Sequence, residues 1–161
     1  MTRITRRPAE WTLSAPVVAR ASREIAASPS AVFDVLADHE SWPNWFRAVK
    51  RVEVTAGDGA GVGARRRVTL RGGARFDEEF VTWAPAAAFG FTVYAMRPRA
   101  LRSLNELVTL EDLGGGRCRV TYHQGFDPRP WSAWLVRLLA RWIMPKALHS
   151  GLAGLERVSR R

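Results

Sequence analysis

The chain has 161 residues, a length that suits one domain and buries a core without disulfide staples. Its hydrophobic fraction of 47% and charged fraction of 25% are ordinary for a globular protein, and the lone Cys118 excludes an intrachain disulfide. The formal net charge is +10, but the cations are scattered arginines with only Lys50 and Lys146 beside them, and no zinc-finger spacing, phosphate loop or RNA-binding signature gathers them.

Residues 1–16 show little periodicity and read as an N-terminal tail or edge segment. Met1 to Arg23 contains no apolar core of signal-peptide length, and no stretch approaches the roughly 18–20 apolar residues of a membrane span. With a single cysteine, the expected setting is the cytoplasm. Val17–Ile25 alternates as a strand. Ser28 before Pro29 is a helix start, a hydroxyl cap followed by proline at the first helical position. Ala31, Val32, Val35 and Leu36 then recur at helical spacing, and His39–Phe46 predicts a second short helix or tight turn that packs its aromatics inward.

A meander follows. Strands are predicted over Arg47–Val54, Ala64–Leu70, Arg75–Trp83, Ala88–Met96, Arg102–Glu111 and Arg117–Phe126, with turns at Gly72–Gly73, around Pro85 and at Gly114–Gly116. Strands at this spacing with no helix between them imply an antiparallel sheet. The last element is an apolar helix from Trp131 to about Arg157, which Pro145 must kink or split. Its stripe includes Trp131, Trp134, Leu138, Trp142, Leu148 and Leu152, with Arg137, Arg141 and Lys146 between. The expected fold class is α+β: a curved seven-stranded antiparallel sheet wrapped around a long C-terminal helix, with two short helices after the first strand.

Several motifs carry a resemblance. They are the opening Ile25-Ala-Ala-Ser-Pro-Ser-Ala-Val-Phe33, Trp42-Pro-Asn-Trp45, Trp83-Ala-Pro85, the hairpin Leu110-Glu-Asp-Leu-Gly-Gly-Gly116 and Val120-Thr-Tyr122. With them the chain resembles the START-like (SRPBCC) helix-grip superfamily, closest to its polyketide cyclase/dehydrase-like branch, over residues 17–158 as one domain. The resemblance implies a cavity between sheet and C-terminal helix that takes an apolar small molecule, a lipid or a polyketide-like compound. Members include carriers as well as cyclases and aromatases that move protons with a few cavity groups, so carrier and enzyme both stay open.

Alternation identifies which side chains share a face. Arg66 lies with Val68 and Leu70, Glu78 between Phe76 and Phe80, Glu106 between Leu104 and Val108, and Gln124 between Tyr122 and Phe126. Counting outward from the turns sets Glu106 opposite Gln124, Arg66 near Glu78 or Glu79, and Glu106 near Thr92 or Val93. These residues form one polar belt across the concave surface, provided that no strand slips by one residue. Proton transfer is assigned to Glu78, Glu106 and Tyr94, with Tyr122 as a further candidate or simply a core aromatic. Arg66, Phe80, Tyr122, Gln124, Leu138 and Trp142 are the expected ligand contacts, the last two as part of a helical roof. The same helix also reads as an interfacial one, mixing tryptophan and arginine, so that weak contact with a membrane surface or a second subunit is the alternative. His39, His123 and His149 have no metal-ligand spacing and no dinucleotide fingerprint occurs, so no metal or cofactor is expected. The partner is a hydrophobic small molecule, specific nucleic-acid binding is not expected, and the chain is a monomer or a homodimer.

Overall fold

The computed structural model describes residues 1–160. Its elements run β1 (Thr2–Arg3), α1 (Trp11–Ser14), β2 (Val17–Ile25), α2 (Pro29–Ala37), α3 (Trp42–Trp45), β3 (Val49–Ala56) and β4 (Arg65–Leu70), then β5 (Arg75–Ala84), β6 (Ala88–Arg97), β7 (Leu101–Gly114), β8 (Arg117–Pro128), α4 (Ala133–Trp142) and α5 (Met144–Ser159). All strand pairs are antiparallel and build one curved, unclosed sheet in the order β2-β8-β7-β6-β5-β4-β3, with β1 beside β6. The fold class is α+β, as the pattern of periods predicts.

An eighth strand joins the seven expected. β6 and β7 pair only from Ala88 opposite Thr109 to Thr92 opposite Asn105, and then splay. Backbone groups left open by such a split need partners, and the N-terminal segment supplies them. Thr2 pairs with Met96 and Arg3 with Ala95, while the Ile4 and Thr5 N–H groups donate to the Tyr94 and Arg102 carbonyls. The Asn105 side-chain amide donates to the Arg7 and Pro8 carbonyls, 3.0 Å each. α1 then lies across β7 and β8 on the outer face, and Gly125 is required there, because a Cβ would stand 2.8 Å from the Thr12 carbonyl oxygen.

On the concave side sit α2, α3 and α5. Ser28 caps α2 by accepting from the Ala31 N–H at 3.2 Å, with Pro29 in the first turn. Val32 and Leu36 of α2 are buried together with Leu148, Leu152 and Leu155 of α5. α5 comes so close to α3 that a Cβ on Gly154 would sit 2.1 Å from the Trp45 carbonyl oxygen. Pro145 has the predicted effect: the C-terminal helix breaks at Ile143, and Pro145 falls in the first turn of α5.

The expected roof is where the structure differs. α4 packs on β2 and β8 through the small residues Val136 and Ala140. At about 100° per residue, Trp134, Leu138 and Trp142 point the other way and are 68%, 49% and 56% exposed, and Trp131, in the turn just before α4, is 64% exposed. The helical period marks a face correctly, but which face meets the sheet depends on how closely the helix must approach, and here the small residues win.

Candidate functional site

The residues that build the site are positioned by β4 and β5. Three consecutive arginines face three consecutive acids: Arg65 opposite Glu79, Arg66 opposite Glu78 and Arg67 opposite Asp77. Alternation sends the outer two pairs to the convex face, where Arg65 meets Glu79 and Arg67 meets Asp77 at 2.7 Å. The middle pair turns inward. Arg66 is 0% exposed, and its Nε donates to Glu78 Oε2 at 2.7 Å.

A buried guanidinium requires partners, and among the described residues Nη2 has none while Nε and Nη1 do. Its Nη1 donates to His39 Nδ1 at 3.2 Å, and His39 Nε2 in turn donates to the Gly59 carbonyl at 2.7 Å. That arrangement fixes the neutral tautomer with hydrogen on Nε2. Burial, reinforced by Arg66, pushes the His39 pKa below its usual value. The rings of Trp42 and Phe91 flank the guanidinium at 4.2 and 4.6 Å, which gives the charge two aromatic faces.

The second half of the belt is on β7 and β8. Glu106 stands directly across from Gln124, whose Nε2 donates to Glu106 Oε1 at 2.8 Å. The Tyr122 hydroxyl donates to the other oxygen, Oε2. Burial raises the Glu106 pKa, opposed by hydrogen bonds from Tyr122 and Gln124 and by the charge of Arg66. Burial also pushes Glu78 up, to about 7, against Arg66 and with a contribution from Glu106. Tyr122 is raised well above its ordinary value by burial and by the neighbouring Glu106, so it stays a phenol.

These groups surround a cavity of about 210 Å³. Arg66, Glu78, Glu106, Tyr122 and Gln124 form its polar wall. The rest is apolar: Phe76, Leu104 and Phe126 from the sheet, Trp42 and Phe46 from the α3 region, and Met144, Ala147 and Leu148 from α5. Chemically, the site offers a carboxyl that titrates near neutrality, a carboxylate held by two donors, and a fixed cation behind them. Among the described residues, no three His, Cys, Asp or Glu side chains cluster as a metal site.

Five of the residues predicted from alternation thus converge: Arg66, Glu78, Glu106, Tyr122 and Gln124. Glu106 is paired with Phe91 rather than with Thr92 or Val93, since the splayed end of the β6–β7 hairpin moves its centre by one residue. Phe80 is buried behind the wall, stacked on His39 at 5.4 Å and 5.2 Å from the Arg66 guanidinium, so it supports the belt without lining the cavity. Tyr94 is elsewhere. It lies on the outer face among Arg3, Arg6 and Arg65, because it is an odd number of residues from the inward Phe91 and Val93. Leu138 and Trp142 are exposed and lie outside the cavity wall, for the reason given for α4. Alternation did not identify His39, whose place in the network comes from an irregular connection between α2 and α3 with no period to read.

Comparison with known proteins bears on this geometry. The family described as polyketide cyclase / dehydrase and lipid transport matches residues 16–160. An uncharacterized protein of Mycobacterium tuberculosis is 34% identical over 112 residues, which cover 70% of this chain and 66% of that one, so the match spans just under two thirds of the relative. Among solved structures, a START superfamily protein from Mycobacterium smegmatis superposes with a TM-score of 0.73 at 17% identity, covering 89% of this chain and 98% of that one. The Zhui aromatase/cyclase from Streptomyces sp. R1128 superposes with a TM-score of 0.74 at 15% identity, covering 89% and 93%. At such identities the structural likeness speaks for the fold alone.

Proposed function

Because the chain belongs to the polyketide cyclase / dehydrase and lipid transport family, we propose that its cavity binds an apolar small molecule of one or two rings, or a short acyl segment, carrying one hydroxyl or phenol. The observation behind this reading is a greasy cavity with a single polar wall, in which the Glu78 and Glu106 carboxyls are the acceptors. Size narrows the class. An apolar cavity of about 150 Å³ holds a benzene ring, so about 210 Å³ favours a slightly larger molecule over a two-chain lipid. A lone cysteine, buried and reduced, supports a cytoplasmic setting.

The test compares 2-naphthol with naphthalene by titration calorimetry, alongside native mass spectrometry for a retained ligand. The naphthol should bind more tightly, and Glu106→Gln should weaken it by about tenfold while leaving naphthalene unchanged. Equal binding of both compounds to the parent, or binding of neither with nothing retained, overturns the reading.

A second reading has its own observation. The Glu78 carboxyl, held near a pKa of 7, is suited to give or take a proton at neutral pH. On a polyketide-like substrate this supports cyclase, aromatase or dehydratase chemistry, with Glu78 and Glu106 as the acid/base groups and Arg66 behind them. Tyr94, on the outer face, has no part in it. Turnover that Glu78→Gln abolishes without loss of binding would favour the enzyme over the carrier.

A further inference from the structure

The outer face of α4 is apolar where a helix ordinarily meets water. Trp131, Trp134, Leu135, Leu138 and Trp142 form one continuous exposed strip, and Ile143 extends it to the break before α5. Single exposed apolar residues are unremarkable, but a contiguous patch with three tryptophans marks a surface that something covers. Charge indicates what. Arg137 and Arg141 lie along one edge of the strip, Lys146 follows in the next turn, and Arg129 precedes it. Between Asp127 and Glu156 the sequence contains no acidic residue. The Arg141 guanidinium is stacked 5.3 Å from the Trp142 ring, which leaves both at the same level of the surface.

We propose that this face docks on an anionic lipid bilayer. Tryptophan favours the headgroup level, where its ring is half in hydrocarbon and its N–H is wet. Arginines flanking such a strip meet the lipid phosphates while their stems lie along the apolar boundary. A second copy of the chain is the poorer occupant. Isologous pairing would bring Arg137, Arg141 and Lys146 of each copy towards their equivalents with no acid between them. Docking also sets the α4–α5 junction against the membrane, and Met144, Ala147 and Leu148, just past that junction, are cavity wall. The docked pose therefore adjoins the cavity, whatever the cavity holds.

The test uses sedimentation with vesicles of phosphatidylcholine alone and of phosphatidylcholine mixed with phosphatidylglycerol. The parent should sediment with the mixed vesicles and stay in solution with phosphatidylcholine, and its tryptophan emission should shift to the blue on binding. The triple variant Trp131→Ser, Trp134→Ser, Trp142→Ser should lose both signals. Arg137→Glu with Arg141→Glu should lower the partition by about tenfold or more. All five positions are exposed, so these variants should keep the parent's circular dichroism and naphthol binding, which separates failure here from failure of the cavity reading. Absence of sedimentation with the mixed vesicles, or sedimentation that the triple variant does not reduce, overturns the proposal. So does a concentration-dependent dimer that the triple variant dissolves in the absence of lipid.

Discussion

Arg66 holds a full positive charge out of reach of bulk solvent, and the residues around it divide the cost unequally. Glu78 supplies the counter-charge, His39 the neutral acceptor, and Trp42 and Phe91 the flanking rings. Removing one partner of a buried pair costs about 3–5 kcal/mol, because the other charge is left behind. Arg66→Met should therefore lower the urea midpoint strongly at pH 8. The loss should shrink at pH 5, where Glu78 is protonated and no longer needs a cation. Glu78 itself gives a second dependence. Its folded pKa of about 7 lies above the ordinary 4.5, so the folded protein holds an extra proton between those values. The stabilising contribution is complete below about 4.5 and lost as the pH rises through about 7. Glu78→Gln has no such titration. The midpoint of the parent relative to this variant should fall steadily across that window, and a constant difference would show that Glu78 is not the buried titrating group described here.

The elements differ in how far sequence determines them. Strand parity is a strict two-residue rule, and a polar residue midway along an otherwise apolar face can be read directly. Arg66, Glu78, Glu106 and Gln124 were legible for that reason, and the same parity puts Tyr94 on the outside. The triplet of arginines facing the triplet of acids leaves the β4–β5 register to parity, since a slip of one residue would still form two Arg–acid pairs but would take the inward Arg66 off the inward Glu78. α4 was not legible in the same way, because a helical period reveals a stripe but not what lies against it. The two C-terminal helices therefore make opposite predictions. Leu138→Asp on α4 should change stability by no more than about 0.5 kcal/mol, as an exposed substitution does. Gly154→Ala on α5 should cost about 1–3 kcal/mol despite alanine's better helix propensity, because the new methyl meets the Trp45 carbonyl, a backbone atom that has no room to rotate away. Thermal melts of the two variants side by side measure both.

At the level of the molecule, the first eight residues act as a strap. They join the splayed ends of β6 and β7, and Thr92 and Asn105 bond to Arg7 and Pro8 across the gap. A chain lacking residues 1–8 should lose stability on the order of a few kcal/mol, with several backbone and side-chain bonds returned to water. Amide exchange should accelerate first in the split between Tyr94 and Arg102, and uniform acceleration over the whole sheet would argue against a local strap.

The pairing of β2 with β8 has an effect on the ribosome. Ile25 meets Cys118, about ninety positions further along, and at typical elongation rates that partner emerges roughly five to twenty seconds later. Throughout that interval Val17, Ala19, Ala21 and Ile25 have no partner strand and present a sticky edge to other nascent chains. The intervening Arg20, Arg23 and Glu24 are what the strand shows in the meantime, and charges set between apolar residues are the usual guard against edge-to-edge aggregation. Those residues thus guard β2 before the protein is complete, and two of them hold it afterwards, Arg23 to Glu156 of α5 and Glu24 to Arg119 of β8.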